Sequence, residues 1–237
     1  ILDLCGRDDV PVAIGQAEPL SGTPTKAMPV GLVADGPVGQ LPADVPSAEE
    51  LLVDVLGAVT PDAPVHICVI GAMTNIARDL AAHPELFDRV AALHVMAGCL
   101  GDAPNAEFNL NGDDVASRIV HALPLPIVLA PYDVTAKLAL TDDDVDRIGA
   151  CGGLGAVLKR QMRRWTKFVN GRVLLHDPLC VLDVVDDQVA DAQTMQLSLE
   201  GGPGALFYVE SSHGRPVSVI RAANEARLRS AILSVFD

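Results

Sequence analysis

Apolar residues along this chain follow two alternating patterns. Short continuous apolar runs at residues 65–70, Val90–Met96 and Ile127–Ala130 have the length and composition of buried β-strands. Around them, apolar residues recur at the spacing of amphipathic helices. The predicted helices cover residues 47–59, 74–82, 113–122, most of 141–186, and 222–235.

Strands that are apolar on both faces and alternate with helices are typical of a parallel sheet covered on both sides. We therefore predict an α/β protein with a mostly parallel central sheet flanked by helices, forming a single domain over residues 1–237. A β-branched run at 10–14 is a further short strand candidate. Strand-like runs over 191–219 surround a predicted turn at 201–204.

Local signals at two places add detail to this pattern. Ser47 and Glu50, three residues apart, form a predicted capping box at a helix start. The chain begins with Ile1 rather than Met, and the residues before Gly6 resemble the last turn of a helix that ends on a glycine cap. We expect from this beginning that the chain is either part of a longer protein or has an unusual start.

Composition and charge exclude several classes of function. The 237 residues are 49% hydrophobic and 20% charged, which is a globular composition. A formal net charge of −14 argues against binding nucleic acid through its phosphates. We expect a cytoplasmic protein without a membrane partner, because the sequence shows neither a spanning apolar run nor a signal peptide. One basic cluster is interpreted as a solvated helix face: Lys159, Arg160, Arg163, Arg164 and Lys167.

The five cysteines are odd in number and include no CxxC pair. This pattern favours a reducing compartment over a disulfide framework or a zinc site. Cys68 and Cys180 lie in apolar runs and are interpreted as small core residues.

Ligands of open parallel sheets bind at the carboxyl ends of the strands, so the loops after the predicted strands are the places to search. In the first loop, Thr74 or Asn75 either caps the following helix or offers a backbone carbonyl to a hard cation. After the second strand, Glu107 and Asn109 are two residues apart, so in an extended segment both side chains point the same way. They would suit a sugar with several hydroxyls, or simply form an exposed polar loop.

A third polar segment, His176-Asp177-Pro178, precedes an apolar helix. Asp177 could be the N-cap of this helix, with Pro178 at the first helical position. It could equally be a carboxylate metal ligand, with His176 able to donate a proton. Sequence alone leaves both roles open.

Taken together, these segments resemble the motifs of nucleoside hydrolases. Gly-Ala-Met-Thr-Asn-Ile-Ala at 71–77 is similar to the Gly-Pro-Leu-Thr-Asn-Ile-Ala of that family, and Met-Ala-Gly at 96–98 to its Met-Gly-Gly. Ala-Glu-Phe-Asn at 106–109 matches its sugar-binding motif, and Asp-Val-Thr at 133–135 and His-Asp-Pro at 176–178 match two others. Five motifs in the family's order make the resemblance specific, and it covers essentially the whole chain.

The resemblance implies a Rossmann-like nucleoside hydrolase fold and a calcium-assisted hydrolysis of ribonucleosides to ribose and free base. Asp177 would ligate Ca²⁺ through its carboxylate and Thr74 through its backbone carbonyl. Glu107, Asn109 and Met96 would bind the ribose. His176 would protonate the leaving base, and Trp165 would lie beside that base, although a tryptophan at helical spacing is more often a core residue. Relatives are usually homo-oligomers, either dimers or tetramers.

The chain departs from the family pattern at its start. Relatives begin with a strand ending in an Asp-x-Asp-x-Gly-x-Asp-Asp motif, which supplies most calcium ligands and the general base. This chain lacks that motif, and Asp142-Asp143-Asp144 is interpreted instead as a helix N-terminus. Smaller departures are Leu32-Val33 in place of a His-Gly pair and the altered loop 101–105. We therefore expect the N-terminal strand and helix to be missing.

Two other hypotheses remain open at this stage. The chain could be a non-catalytic relative that keeps a nucleoside pocket and binds its ligand without turnover. It could also be another sugar-handling α/β hydrolase that uses Glu107 and Asp177 as an acid pair.

Overall fold

The computed structural model describes residues 1–22, 44–100, 107–167 and 171–236. The strands are β1 (Val65–Val69), β2 (Val90–Met96), β3 (Ile127–Ala130), β4 (Ala139–Leu140), β5 (Val173–Leu174), β6 (Ala190–Glu200), β7 (Phe207–Glu210) and β8 (Arg215–Ala223). The α-helices are α1 (Leu2–Cys5), α2 (Ala48–Ala58), α3 (Phe108–Gly112), α4 (Asp114–Ala122), α5 (Tyr132–Thr135), α6 (Asp142–Gly149), α7 (Gly152–Thr166), α8 (His176–Val185) and α9 (Glu225–Ser234). A π-helical turn (Ile76–Leu80) and a 3-10 helix (Pro84–Arg89) lie between β1 and β2.

In the part of the chain described, the main sheet has six strands in the order β1-β2-β3-β8-β6-β7. The first four strands are parallel to one another, whereas β6 is antiparallel to both β8 and β7. Strands β4 and β5 form a separate antiparallel pair. The predicted α/β fold with a mostly parallel sheet is therefore confirmed.

Successive strand residues point to opposite faces of the sheet and enter two separate apolar clusters. Leu129 and Val219 pack on the face covered by α2 and α4, together with Leu56 from α2. Their neighbours Ala130 and Ile220 pack on the opposite face, against residues of α6, α8 and α9. This two-sided burial explains why the central strands are apolar without alternation.

The local capping signals are confirmed. Ser47 and Glu50 form the predicted capping box at the start of α2. Thr141 caps α6 in the same way with Asp144, which places the acidic run in the first turn of that helix. Arg163, in the basic cluster, pairs with Asp142 and Asp146 of α6 and is partly exposed, consistent with a solvated helix face.

One predicted strand and one predicted helix start are wrong. Residues 10–14 form no strand, because Ile14 makes only an isolated bridge to Ser47. The last helix begins at Glu225 rather than at residue 222, since Ala223 still pairs with Ala190 in the sheet and the Asn224 side chain caps the helix. Leu32-Val33 and the loop 101–105 lie outside the described residues.

Across the same described ranges, no helix combines the length and apolar character that crossing a bilayer would require.

Candidate active site

The carboxyl ends of β1, β2 and β3 lie at one edge of the sheet. Val69 is paired with Val95, and Met96 with Ala130, so the three strands end almost in register. The loops that follow therefore meet at this edge, as the parallel topology requires. These loops and the start of α8 carry the polar motifs identified in the sequence.

Glu107 is buried at this edge, with only 7% of its surface exposed. One carboxylate oxygen accepts hydrogen bonds from the backbone N–H groups of Gly98 and Leu110, both at 2.8 Å, and the other accepts from Asn109 N–H at 2.9 Å. The prediction of an extended segment is wrong here. Glu107 is the N-cap of α3, because its carboxylate satisfies the unpaired N–H groups of the first helical turn.

Asn109 lies in the first turn of α3 and contacts the end of β2. Its side-chain amide donates to the backbone carbonyl of Met96 at 2.9 Å and lies 3.3 Å from the Met96 sulfur. Three residues predicted to bind ribose, Glu107, Asn109 and Met96, are thus brought together although they come from a helix and a strand.

Gly98 joins the loop after β2 to the loop after β3. Its φ of 71° is in the left-handed region, and a Cβ atom there would lie 2.6 Å from the ring of Tyr208. Its carbonyl accepts from Tyr132 N–H at 2.8 Å, and Leu100 N–H donates to Asp133 at 2.6 Å. The Asp-Val-Thr motif thus begins with a residue that holds the loop after Met96 in place.

His176 is attached to the end of the same motif. Its Nδ1 is 2.7 Å from the hydroxyl of Thr135, a residue with no exposed surface. The imidazole also stacks on Tyr132, with ring centroids 5.6 Å apart and planes 19° apart. Burial lowers the pKa of His176, which favours the neutral imidazole.

Asp177 lies beside His176 in the first turn of α8. The cap role considered for Asp177 is wrong, because the helix begins two residues earlier than that role requires, its N-cap position is Leu175, and no side chain caps it. Burial, and then the negative charge of Glu107, raise the pKa of Asp177. Among the described residues, the Asp177 carboxylate has no hydrogen-bonding or ion-pair partner. A half-buried carboxyl that feels the negative charge of a second carboxylate is a position that favours a cation.

Thr74 is buried at the end of the loop after β1 and contacts a different acid. Its hydroxyl donates to Asp113 at 2.8 Å, and Asp113 is the N-cap of α4. Asn75, the other predicted cap, instead accepts a hydrogen bond from Gln16 N–H at 2.8 Å. Neither side chain caps the helical segment that follows, so this interpretation of the loop is wrong.

Trp165 lies half-buried in the last turn of α7, so its place beside a base stays a prediction. Ala106, the first residue of the Ala-Glu-Phe-Asn motif, falls outside the described residues.

The donor chemistry at this edge fits a hard cation, but only as part of a coordination shell. Asp177 offers a carboxylate, and the neighbouring Glu107 adds negative charge. However, within the described ranges no three side chains of His, Cys, Asp or Glu converge as a metal site would require. Further oxygen ligands would therefore have to complete a calcium shell, which usually has six to eight.

Three residues of the site were not identified as site residues from sequence. Thr135 and Tyr132 hold His176, and Asp113 holds Thr74. The Asp-Val-Thr motif was a signal for Thr135, but its contact with His176 spans 41 residues and has no local signature.

Comparison with known proteins identifies the family. The family model described as inosine-uridine preferring nucleoside hydrolase matches residues 1–230. The chain is 38% identical over 162 residues to the pyrimidine-specific ribonucleoside hydrolase RihA of Citrobacter koseri, covering 64% of this chain and 51% of that protein. It is 32% identical over 217 residues to RihA of Shewanella sp. (strain ANA-3), covering 84% of this chain and 67% of that protein.

A solved structure shows the same fold. The purine-preferring ribonucleoside hydrolase from Gardnerella vaginalis superposes with a TM-score of 0.82 at 20% identity, covering 98% of this chain and 81% of that one. The chain spans about half the length of the Citrobacter relative. The family match over nearly all of its residues is nevertheless unambiguous, and the chain belongs to the inosine-uridine preferring nucleoside hydrolase family.

Proposed function

We propose that this protein hydrolyses the N-glycosidic bond of ribonucleosides to ribose and a free nucleobase. The observation that carries the proposal is the meeting of two separate motifs at one sheet edge. The charge of Glu107, from the Ala-Glu-Phe-Asn motif, acts on Asp177 of the His-Asp-Pro motif, although they are 70 residues apart. The sugar-binding residue Glu107 and the polar His-Asp-Pro motif, which would act in bond cleavage, can then act on the same substrate.

In this proposal, Glu107 and Asn109 bind the ribose hydroxyls. Backbone N–H groups hold the Glu107 carboxylate in a fixed position, so it accepts from a sugar hydroxyl without reorganising. The Asn109 amide nitrogen donates to Met96, which fixes the side chain and leaves its amide oxygen to accept from a hydroxyl. Met96 forms an apolar wall of the sugar pocket.

His176 is proposed to move a proton to the leaving base. Thr135 and Tyr132 fix the orientation of its ring, and its second ring nitrogen is then available to the substrate. Since burial lowers the pKa of His176, its protonated form is a stronger acid but is less populated at neutral pH. Trp165 is proposed to contact the base from α7. As the bond breaks, positive charge develops on the sugar, and the carboxylates of Glu107 and Asp177 stabilise it.

Calcium is proposed as the cation, ligated by the Asp177 carboxylate and the Thr74 backbone carbonyl. Bound there, Ca²⁺ would supply positive charge and oxygen coordination for the ribose diol and for a water whose pKa it lowers. The support is the half-buried Asp177 carboxylate, which has no partner among the described residues and whose pKa is raised by burial and by the charge of Glu107. A homo-oligomer, dimer or tetramer, remains part of the proposal.

The direct assay is release of free base and ribose from ribonucleosides with added calcium and after chelation. Uridine and cytidine come first, because the relatives at 32% and 38% identity are named pyrimidine-specific. Inosine serves as the purine comparison. We expect calcium-dependent release of uracil. Saturable nucleoside binding without any release would contradict hydrolysis and support the non-catalytic relative instead.

A further inference from the structure

A second cleft lies at the edge of the sheet opposite the candidate active site, between the end of α4 and the paired strands β6 and β8. Strand β8 is parallel to β3, so Arg215 at its start lies where β3 begins rather than where it ends. Helix α4 spans about 13 Å from Asp113, which holds Thr74, to this cleft. The cleft opens to solvent and has a volume of about 590 Å³. It is therefore separate from the site proposed to bind the nucleoside.

Basic side chains line this cleft, although the formal net charge of the chain is −14. Two arginines and two histidines contribute to the lining: Arg118, His121, His213 and Arg215. Over the part of the chain that the structure describes, the lining includes no aspartate or glutamate. Glu200 and Glu210, at the ends of β6 and β7, are exposed and lie outside it. The cleft is thus a local concentration of positive charge on an acidic protein.

Arg215 is partly buried and is held by backbone carbonyls at and beyond the end of α4. Its Nη1 donates to the carbonyls of His121 and Leu123, at 2.7 and 2.5 Å, and its Nη2 donates to that of Leu125. These bonds leave two of the five N–H groups of a guanidinium, one on Nε and one on Nη2. Among the described residues, no carboxylate pairs with Arg215. Burial lowers the pKa of Arg215, as expected for a cation withdrawn from water without a counter-ion.

Arg118 is exposed on α4 and is fixed in a similar way. Its guanidinium donates to the carbonyl of Gly201 at 2.6 Å and to that of Leu199 at 3.4 Å. Within the described ranges it has no carboxylate partner either, whereas Arg163 and Arg227 both pair with aspartates. Two guanidinium groups without a counter-ion are therefore held in place in one cleft.

The two guanidinium groups reach the same stretch of β6. Arg215 is the sheet neighbour of Leu197, and Arg118 donates to the carbonyl of Leu199, two residues further along the strand. Two residues of an antiparallel strand span about 7 Å. One phosphate group can bridge such a gap, because each N–H···O hydrogen bond adds about 2.9 Å on either side of it.

The remaining lining residues narrow the kind of anion that fits. Guanidinium groups bind phosphate oxygens through paired N–H donors, and two of them match the two negative charges of a phosphate. Ser198 adds a hydroxyl and His213 an imidazole, while Leu123, Leu199 and Pro216 form an apolar wall. The volume lies in the range of small-molecule pockets and leaves room for more than a phosphate group.

We propose that this cleft binds a small molecule that carries a phosphate group, with Arg118 and Arg215 donating to the phosphate oxygens. Backbone carbonyls already fix both arginines, so binding does not have to order two long side chains. The apolar wall contacts the organic part where the ligand is a phosphate ester, and inorganic phosphate is the other source of the same group. The cleft shares no residue with the candidate active site, so this inference does not depend on the proposed function.

The test is titration of the ¹³C-labelled chain with inorganic phosphate and with phenyl phosphate, followed through the histidine ring NMR signals at fixed pH and ionic strength. We expect saturable shifts of the His121 and His213 signals. Those of His66 and His83, which lie outside the cleft, should stay unchanged. Tighter binding of phenyl phosphate would support the site with an ester as its ligand, and equal affinities would support it with inorganic phosphate.

Arg118→Gln should weaken binding of both probes by about tenfold or more, because hydrogen bonds to charged groups are among the strong ones. The matched control is Arg172→Gln, which removes the same charge. Arg172 is also exposed and donates to two backbone carbonyls, but lies outside the cleft. It should leave the affinity unchanged. Circular dichroism checks that both variants are folded.

The absence of a saturable shift at His121 and His213 in the wild type would overturn the proposal without any substitution. Equal weakening in Arg118→Gln and Arg172→Gln would also overturn it, because the effect would then come from net charge rather than from the cleft.

Discussion

Asp177→Asn is expected to reduce calcium affinity by at least about 100-fold and to remove most nucleoside hydrolysis. Loss of an outer-shell partner of a metal ligand typically costs about 10–100-fold, and loss of a charged ligand should exceed that range. The amide keeps the shape of the side chain but removes the negative charge of a half-buried carboxylate that has no partner among the described residues. Titration calorimetry with Ca²⁺ and release of uracil from uridine measure the two effects.

The same substitution should not destabilise the fold. Burial and Glu107 raise the pKa of Asp177 in the folded state, so the charged form is disfavoured there. The stabilising contribution of this group is present below its unfolded-state pKa and is lost as the pH rises through the higher folded-state pKa. In the absence of metal, Asp177→Asn should therefore be at least as stable as the wild type at neutral pH, and lose this advantage in acid.

The matched control is Asp186→Asn, at the other end of α8, where the carboxylate pairs with Arg227 instead. It should leave calcium affinity unchanged. Unaltered metal binding in Asp177→Asn would favour a different sugar-handling hydrolase, in which Asp177 acts as an acid rather than as a ligand.

Asp113→Ala is expected to lower the free energy of unfolding by about 3 kcal/mol or more, because it combines the loss of a helix cap with several buried unpaired donors. Asp113 has no exposed surface and accepts four hydrogen bonds. They come from the backbone N–H groups of Leu20, Ser21 and Ala116 and from the Thr74 hydroxyl, at 2.6 to 3.1 Å. Urea unfolding followed by circular dichroism measures the change.

Asp114→Ala is the control for this experiment, since the neighbouring acid is partly exposed in the first turn of α4 and contributes mainly to the helix dipole. It should cost less than about 1 kcal/mol. If the two substitutions lowered the free energy of unfolding equally, Asp113 would not join the segments at residues 20–21, Thr74 and Ala116 as its hydrogen bonds indicate.

Features set by local chemistry could be predicted from sequence. The strands were recognised because continuous apolar runs reflect burial on both faces, and the capping boxes because their partners are three residues apart. The errors near the site also have local causes. Glu107 was assigned to an extended segment because its capping of α3 was overlooked. The cap role, one of the two considered for Asp177, failed because α8 begins two residues earlier than that role requires, at His176.

Contacts between distant segments could not be predicted from one sequence. Thr74 meets Asp113 across 39 positions, and His176 meets Thr135 across 41. Such pairs depend on how the strand-end loops pack, which periodicity does not encode. The family motifs indicated which loops matter, whereas the structure shows which side chains hold one another.

The central claim is that the sheet edge at Met96, Glu107 and Asn109 binds ribose. It is tested most directly by methionine methyl NMR of the ¹³C-labelled protein during titration with ribose in the presence of calcium. The account predicts a saturable shift of the Met96 methyl signal, weakened in Asn109→Ala, with the Met195 signal of β6 unchanged. A shift confined to Met195, or no saturable change at Met96, would contradict it.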